Sequence, residues 1–320
     1  MTEEKAVQGI PVGISSCLLG ERVRYDGGHK AHSYIMKTLG DYFEFRQFCP
    51  ELAIGLGIPR KPIRLVRMDG GEVRCQGIND DSIDVTEELQ ACAREQLGWV
   101  QELCGYIFKK DSPSCGMERV KVWGKGMPVR DGAGLYAATL AREVPYLPLE
   151  EEGRLGDSGL RENFIQRVFT LHRWRLMIAQ GLTVKALMAF HANHKLIVMG
   201  HDQQAYRDLG RLIAGTNREN LEENSEQYLL QLMLALKKVA TRGNHVNVLQ
   251  HVQGYLKKHL DGDDKQELVE AIQAYKVGQL PLIVPITLLN HHFRKHPDPY
   301  IADSWYMHPY PQELKLRNEI

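Results

Sequence analysis

Along the first third of the chain, apolar and polar positions fall into short blocks separated by Gly, Pro and charged turns. Ile10-Pro11-Val12-Gly13-Ile14-Ser15 is apolar at nearly every position, as expected of a strand buried on both faces. Residues 34–39 read as a short helix, and residues 41–48 carry the chain into a second strand end. Thr86 followed by Glu87, Glu88 and Leu89 resembles an N-cap, with a helix running to about residue 103. Residues 105–109 then read as another strand, its exit ending at Ser112. Alternating strand and helix predicts an α/β amino-terminal domain, residues 1–150, built on a Rossmann-like parallel sheet. Residues 144–159 are rich in Pro, Gly and acidic side chains and read as a linker. Beyond them the period changes. Residues 163–180, 184–199, 204–214 and 225–240 carry apolar positions at three-to-four spacing, and residues 241–260 and 265–275 continue the pattern. This predicts an all-α carboxy-terminal domain, residues 160–320. The apolar, Pro-containing residues 280–289 are too short to cross a membrane and read as packing.

Composition narrows the setting. Of 320 residues, 43% are hydrophobic and 25% charged, ordinary for a globular protein. No apolar run approaches a membrane span, and Met1-Thr2-Glu3-Glu4-Lys5 lacks signal-peptide character, so a cytoplasmic protein without membrane contact is expected. In that compartment the six cysteines are metal-binding, catalytic or buried rather than disulfide-bonded. A formal net charge of zero gives no global pull toward nucleic acid, so RNA binding would need a local patch. The second half is mildly basic and holds most of the 13 histidines. Nothing in the pattern implies an obligate protein partner.

Three cysteines carry the candidate chemistry. Cys17 lies in Ser15-Ser16-Cys17-Leu18-Leu19-Gly20, Cys49 in Phe48-Cys49-Pro50-Glu51, and Cys115 in Asp111-Ser112-Pro113-Ser114-Cys115-Gly116. Each follows a β-prone stretch and opens into a turn, where open α/β sheets gather ligands. There is no CxxC pair of the kind zinc sites use. Three thiolates assembled by the fold suit an iron–sulfur cluster with one iron left open, while buried structural cysteines and zinc remain alternatives. Cys75, Cys92 and Cys104 lack such contexts and read as core residues.

Together with Arg24-Tyr25-Asp26-Gly27, these motifs over residues 8–150 resemble the TudS-type thiouracil desulfidase family. The resemblance implies a 4Fe-4S cluster with three Cys ligands and one open iron. Carried over, Cys17, Cys49 and Cys115 are the ligands, and Glu51 and Ser112 are the catalytic acid and serine. Arg24, Asp26 and Ser114 are weaker candidates for contact with substrate. The implied reaction is desulfuration without net redox, with a carboxylate-activated water replacing sulfur on a thiolated pyrimidine.

In the second half, His191-x-x-His194-Lys195 and His201 could reach metal geometry on a helix, but no Glu or Cys nearby completes a set. Thr241-Arg242-Gly243-Asn244-His245, Tyr255-Leu256-Lys257-Lys258, Tyr206 and Trp305-Tyr306 fit RNA contact, with Arg242, His245, Lys257 and Lys258 as candidate substrate-binding residues. Residues 185–317 resemble a YbgA-like family of unknown function. The fused arrangement is similar to bacterial desulfidases acting on 4-thiouridine in tRNA, which implies tRNA as partner. Two other readings stay open: a desulfidase of free thiouracil bases, and a non-enzymatic, cluster-bearing RNA-binding or redox-sensing protein.

Overall fold

The structure, a computed structural model, describes residues 9–318, so the Met1–Lys5 start lies outside the described residues. The chain divides into two compact units between Asp157 and Ser158. Among the described residues, eight strands lie in the first unit: β1 (Ile10–Ser15), β2 (Phe43–Phe48), β3 (Ile63–Arg67), β4 (Val73–Gly77), β5 (Gly105–Phe108), β6 (Val120–Trp123), β7 (Val129–Gly132) and β8 (Leu149–Glu151). Its helices are α1 (Ser33–Lys37), α2 (Pro50–Ala53), α3 (Thr86–Glu95), α4 (Leu97–Val100) and α5 (Leu135–Glu143).

The principal sheet is wholly parallel, in the order β2-β1-β5-β8. Ile10, Val12 and Ile14 of β1 are fully buried, and so are Ile107 and Phe108 of β5, as apolar runs covered on both faces require. At Gly13 a Cβ would sit 2.3 Å from the Tyr106 ring, so only glycine lets β5 lie this close to β1. Pairing of Ser15 with Phe48 brings β1 and β2 to a flush end. From β1 the chain first goes to β2 on one side, and β5 later pairs on the other. The carboxyl end of β1 is thus a topological switch point, where ligands of such folds bind.

A second sheet, β4-β3-β6-β7, is mixed and was not anticipated from the sequence. Its strands alternate polar with apolar, as in Ile63-Arg64-Leu65, and its core of Ile63, Leu65, Cys75, Val120 and Val122 is shared with Val85, Leu89 and Leu135. The helix expected from Thr86 to about residue 103 is two short helices, divided at Gln96. Thr86 does not cap it: its hydroxyl accepts the Cys75 N–H at 2.8 Å, while Asp84 accepts the Thr86 N–H at 3.1 Å. The stretch expected as linker holds β8, whose Glu150 and Glu151 are buried, as is the next residue, Glu152. These charges are matched inside the fold. Arg154 reaches Glu150 at 2.6 Å, the Met117 N–H reaches Glu151 at 2.6 Å, and Lys109 reaches Glu152 at 2.5 Å.

The second unit is nearly all helix: α6 (Ser158–Ala179), α7 (Val184–His201), α8 (Gln203–Ala214), α9 (Leu221–Lys237), α10 (Arg242–Tyr255), α11 (Gly262–Lys276), α12 (Ile283–Lys295) and α13 (Pro299–Ala302). Thr183, Asp202, Thr241 and Asp261 cap α7, α8, α10 and α11 with their side chains. The Pro-containing segment read as packing is the start of α12. Pro285 falls in the first turn, where a missing N–H breaks no helical bond, and Ile286 and Leu289 bury the same face. No described helix is long and apolar enough to cross a membrane.

Candidate active site

Cys17 and Cys49 sit just beyond the carboxyl ends of strands in the parallel sheet, and Cys115 lies in the loop that leaves a third. Cys17 is two residues past β1 in a tight turn closed by Gly20, whose φ of 97° favours glycine. Cys49 directly follows β2, at the N-cap position of α2, and Pro50 opens that helix with Glu51 in its first turn. Phe48 is fixed by stacking on Tyr136, at 5.5 Å between ring centroids. Cys115 closes the loop that leaves β5. That loop is held from below by Gly134, where a Cβ would meet the Ser114 and Cys115 backbone at 2.5–2.7 Å.

These turns enclose a cavity of about 430 Å³ lined by Cys17, Cys49, Cys115, Glu51, Ser112, Ser114, Arg24, Arg60 and Lys109, among others. Its polar side chains are connected. The Ser114 hydroxyl donates to Glu51 Oε1 at 2.6 Å, and the Ser112 hydroxyl lies 2.9 Å from Ser114 Oγ. Because Ser114 gives its proton to Glu51, Ser112 is the donor in that second bond, so a chain runs Ser112 to Ser114 to Glu51. Ser112 Oγ also accepts the Cys115 N–H at 3.1 Å, which shapes the cysteine turn. Arg60 grips Glu51 Oε2 through Nε at 2.9 Å and Nη2 at 2.5 Å, and is itself held by the Val23 and Gly57 carbonyls. The ion pair is largely out of solvent, with side-chain exposures of 5% and 13%.

All six cysteines are free thiols. Burial pushes the Cys17 thiol up to about 11, opposed by Lys109. Burial likewise raises Cys49, opposed by hydrogen bonds and Arg60, and it raises Cys115, whose sulfur lies 3.7 Å from Ser114 Oγ. Cys49 also raises the pKa of both other thiols, so the three are electrostatic neighbours. Arg24 and Lys109 oppose the rise at Cys17, which makes the cavity a place where added negative charge is compensated. The donor set bears on which metal would fit. Thiolates around one tetrahedral zinc would lie roughly 3.8 Å apart, given a Zn–S bond of about 2.3 Å. The three sulfurs are spread beyond a mutual 4.8 Å; the one described trio within it is Asp264, Glu267 and His292. Soft thiolate donors at this wider spacing suit an iron–sulfur cluster.

Of the weaker candidates, Arg24 lines the cavity. Asp26 does not: it accepts the Gly28 N–H at 3.0 Å, a bond that holds its carboxyl below the usual range, and pairs with Arg24 at 3.4 Å. Cys75, Cys92 and Cys104 are buried away from the cavity lining. Arg60, Lys109 and Glu152 were not anticipated. Lys109 and Lys110 did stand at a strand exit, but Arg60 and Glu152 are joined to the site only by the fold.

In the helical unit, Arg242 donates to the Tyr275 carbonyl at 3.1 Å, its guanidinium 5.4 Å from that ring. His245 shares a 2.9 Å hydrogen bond with the Tyr306 hydroxyl, and burial holds it neutral, well below its usual pKa. Tyr306 is 1% exposed, so it is core rather than a stacking platform. Lys257 and Lys258 are exposed in the turn after α10. The histidines considered for zinc are engaged elsewhere: His191 with Tyr228, His194 with the Phe190 carbonyl, His201 with the Lys238 carbonyl and Gln166.

With this geometry in view, the comparisons with known proteins are specific. Residues 12–152 match the family model described as 2-thiouracil desulfurase, and residues 195–311 match the protein family of unknown function DUF1722. The chain belongs to both families, joined in one polypeptide. It is 33% identical over 153 residues to the uncharacterized protein YbgA of Escherichia coli (strain K12), covering 48% of this chain and 90% of that protein. It is 35% identical over 108 residues to the uncharacterized protein YbbK of Bacillus subtilis (strain 168), covering 32% of this chain and 71% of that protein. Among solved structures it is similar to the [4Fe-4S]-dependent thiouracil desulfidase TudS, with 30% identity and a TM-score of 0.38 over 46% of this chain and 94% of that one. The desulfurase-family match spans all three cysteine motifs, and the DUF1722 match spans α8 to α13.

Proposed function

We propose that this protein is a cluster-dependent desulfidase that converts 4-thiouridine in tRNA to uridine, releasing sulfide without net redox. One observation carries the chemistry: Glu51 is clamped by Arg60 and hydrogen-bonded by Ser114 in the cavity that the three motif cysteines line. Family membership supports a thiolated pyrimidine as the reacting group. Cys17, Cys49 and Cys115 are the proposed ligands. When bound, a 4Fe-4S cluster supplies an open iron, a Lewis acid suited to a soft thiocarbonyl sulfur.

The chain's own groups supply the rest. Arg60 occupies Glu51 Oε2 and leaves Oε1 to take a proton from water as the water oxygen bonds the ring carbon. Ser114, with Ser112 behind it, relays that proton from Glu51 Oε1 to the departing sulfur. The C–S bond breaks as the carbonyl forms, and the two protons of water leave with sulfide. Tyr25, which lines the cavity and is 43% exposed, offers a face for the base to stack on. A stacked tRNA base has to be extracted to reach such a cavity. Lys257 and Lys258 are the proposed phosphate contacts of the helical unit, a role Arg242 and His245 fill less readily because their side chains are engaged.

The test is anaerobic reconstitution with iron and sulfide, incubation with bulk bacterial tRNA, and quantification of nucleosides by mass spectrometry. Loss of 4-thiouridine that disappears in Cys49→Ala establishes reaction and substrate. Turnover of free thiouracil with none on tRNA replaces the substrate. A retained cluster with no turnover on either leaves a sensing or RNA-binding protein.

A further inference from the structure

A second group of side chains, in the helical unit, has no part in the desulfuration. Asp264 and Glu267 stand one turn apart on α11, and His292 lies near the end of α12. A ligand atom from each lies within 4.8 Å of the other two. His292 is 2% exposed, and neither ring nitrogen has a hydrogen-bond partner. A buried imidazole with both nitrogens unpaired is costly and uncommon in folded proteins. Favourable placement of acids at a helix N-terminus accounts for Asp264, but not for Glu267 a turn further in, nor for the unpaired histidine.

We propose that Asp264, Glu267 and His292 form a binding site for a divalent transition-metal ion that ties α11 to α12. The donor set chooses the class of ion. Calcium and magnesium take oxygen ligands almost exclusively, whereas one imidazole with two carboxylates suits manganese, iron(II) or zinc. An ion there takes up a lone pair of His292 and neutralises two carboxylates that otherwise face each other. Three protein ligands leave positions for water, with Glu267, the exposed member, on the open side. The site stands or falls independently of the desulfidase reading.

Manganese is the probe, because thiolates are poor ligands for it and the cysteine cavity stays out of the measurement. The full chain, with any affinity tag removed, is titrated with Mn2+, and the free ion is counted by electron paramagnetic resonance. One ion per chain is expected, displaced by zinc, with a rise of several degrees in the melting of the helical unit. Asp264→Asn with Glu267→Gln should weaken binding at least tenfold and remove that rise while the circular dichroism stays unchanged. His292→Gln should weaken it in the same way; if that variant misfolds, the carboxamide pair still decides. Absence of binding in the unaltered chain, or equal binding by the carboxamide variant, overturns the assignment.

Discussion

Replacing Arg60 by leucine tests the geometry around Glu51 without relying on turnover. The substitution removes two hydrogen bonds to Glu51 Oε2 and those to the Val23 and Gly57 carbonyls, and leaves a carboxylate whose side chain is 13% exposed. Breaking a buried pair by deleting one partner costs about 3–5 kcal/mol, mostly from the charge left behind. For a unit of this size that lowers the melting temperature by roughly 10 °C. Glu51→Gln alone should cost less, since the amide still accepts from Arg60. The double variant is the informative one. With no stranded charge it should be about 1.5–3 kcal/mol more stable than the sum of the single effects predicts. Native-state hydrogen exchange, read by mass spectrometry on peptides from β1 and β2, reports this unit's opening free energy separately from the helical unit. Additivity within about 0.5 kcal/mol would refute the pair as a coupled element.

Three further outcomes are expected. Gly134→Ala should lower iron content after reconstitution, because its Cβ would meet the Ser114–Cys115 backbone, whereas Gly156→Ala, with nothing within 4 Å, should not; equal iron in both removes Gly134 as support of the cysteine turn. Burial lowers His194 to about 3 and His201 to about 4, so the unfolded chain, with an ordinary value near 6.5, binds protons first as pH falls. The stability these neutral histidines contribute is present above about pH 6.5 and lost toward pH 4, by up to about 1.4 kcal/mol per pH unit for each. Urea midpoints at pH 7.5, 6 and 5 should therefore fall, and less steeply in His201→Gln; identical slopes would contradict the assignment. Lys257→Ala with Lys258→Ala should weaken tRNA binding and reduce its salt slope by about 2, and an unchanged slope would place the phosphate contacts elsewhere.

The legible part of the fold was the part whose signal is local. β1 is an apolar run with Ser15 at its end, and the structure gives it the same bounds, Ile10–Ser15. Most helices of the second unit follow from apolar spacing, as α7 does. Elements whose stability comes from distant partners were not legible. β8 looks like a solvated acidic stretch because Lys109 and the Met117 amide, which satisfy its neighbourhood, lie more than thirty residues away. The strands of the mixed sheet are four or five residues long with charged alternates, and their core is completed by Val85, Leu89 and Leu135 from elsewhere.

The candidate site divides along the same line. Cys17, Cys49 and Cys115 could be found because parallel strands put their carboxyl ends on one edge, and each cysteine follows a strand. Glu51 came with Cys49, two residues away on the same turn of chain. Arg60 carried no motif, yet it fixes which carboxylate oxygen of Glu51 stays available. Spacing alone also blurred the serines. Ser112 matched the expected distance from Cys115, while the hydroxyl that touches Glu51 belongs to Ser114. With Ser112 Oγ also accepting the Cys115 N–H, the two serines divide the work: one shapes the cysteine turn and backs the other, which meets the carboxylate. Removing Ser112 should therefore disturb both cluster retention and turnover, whereas removing Ser114 should act on turnover with the iron retained.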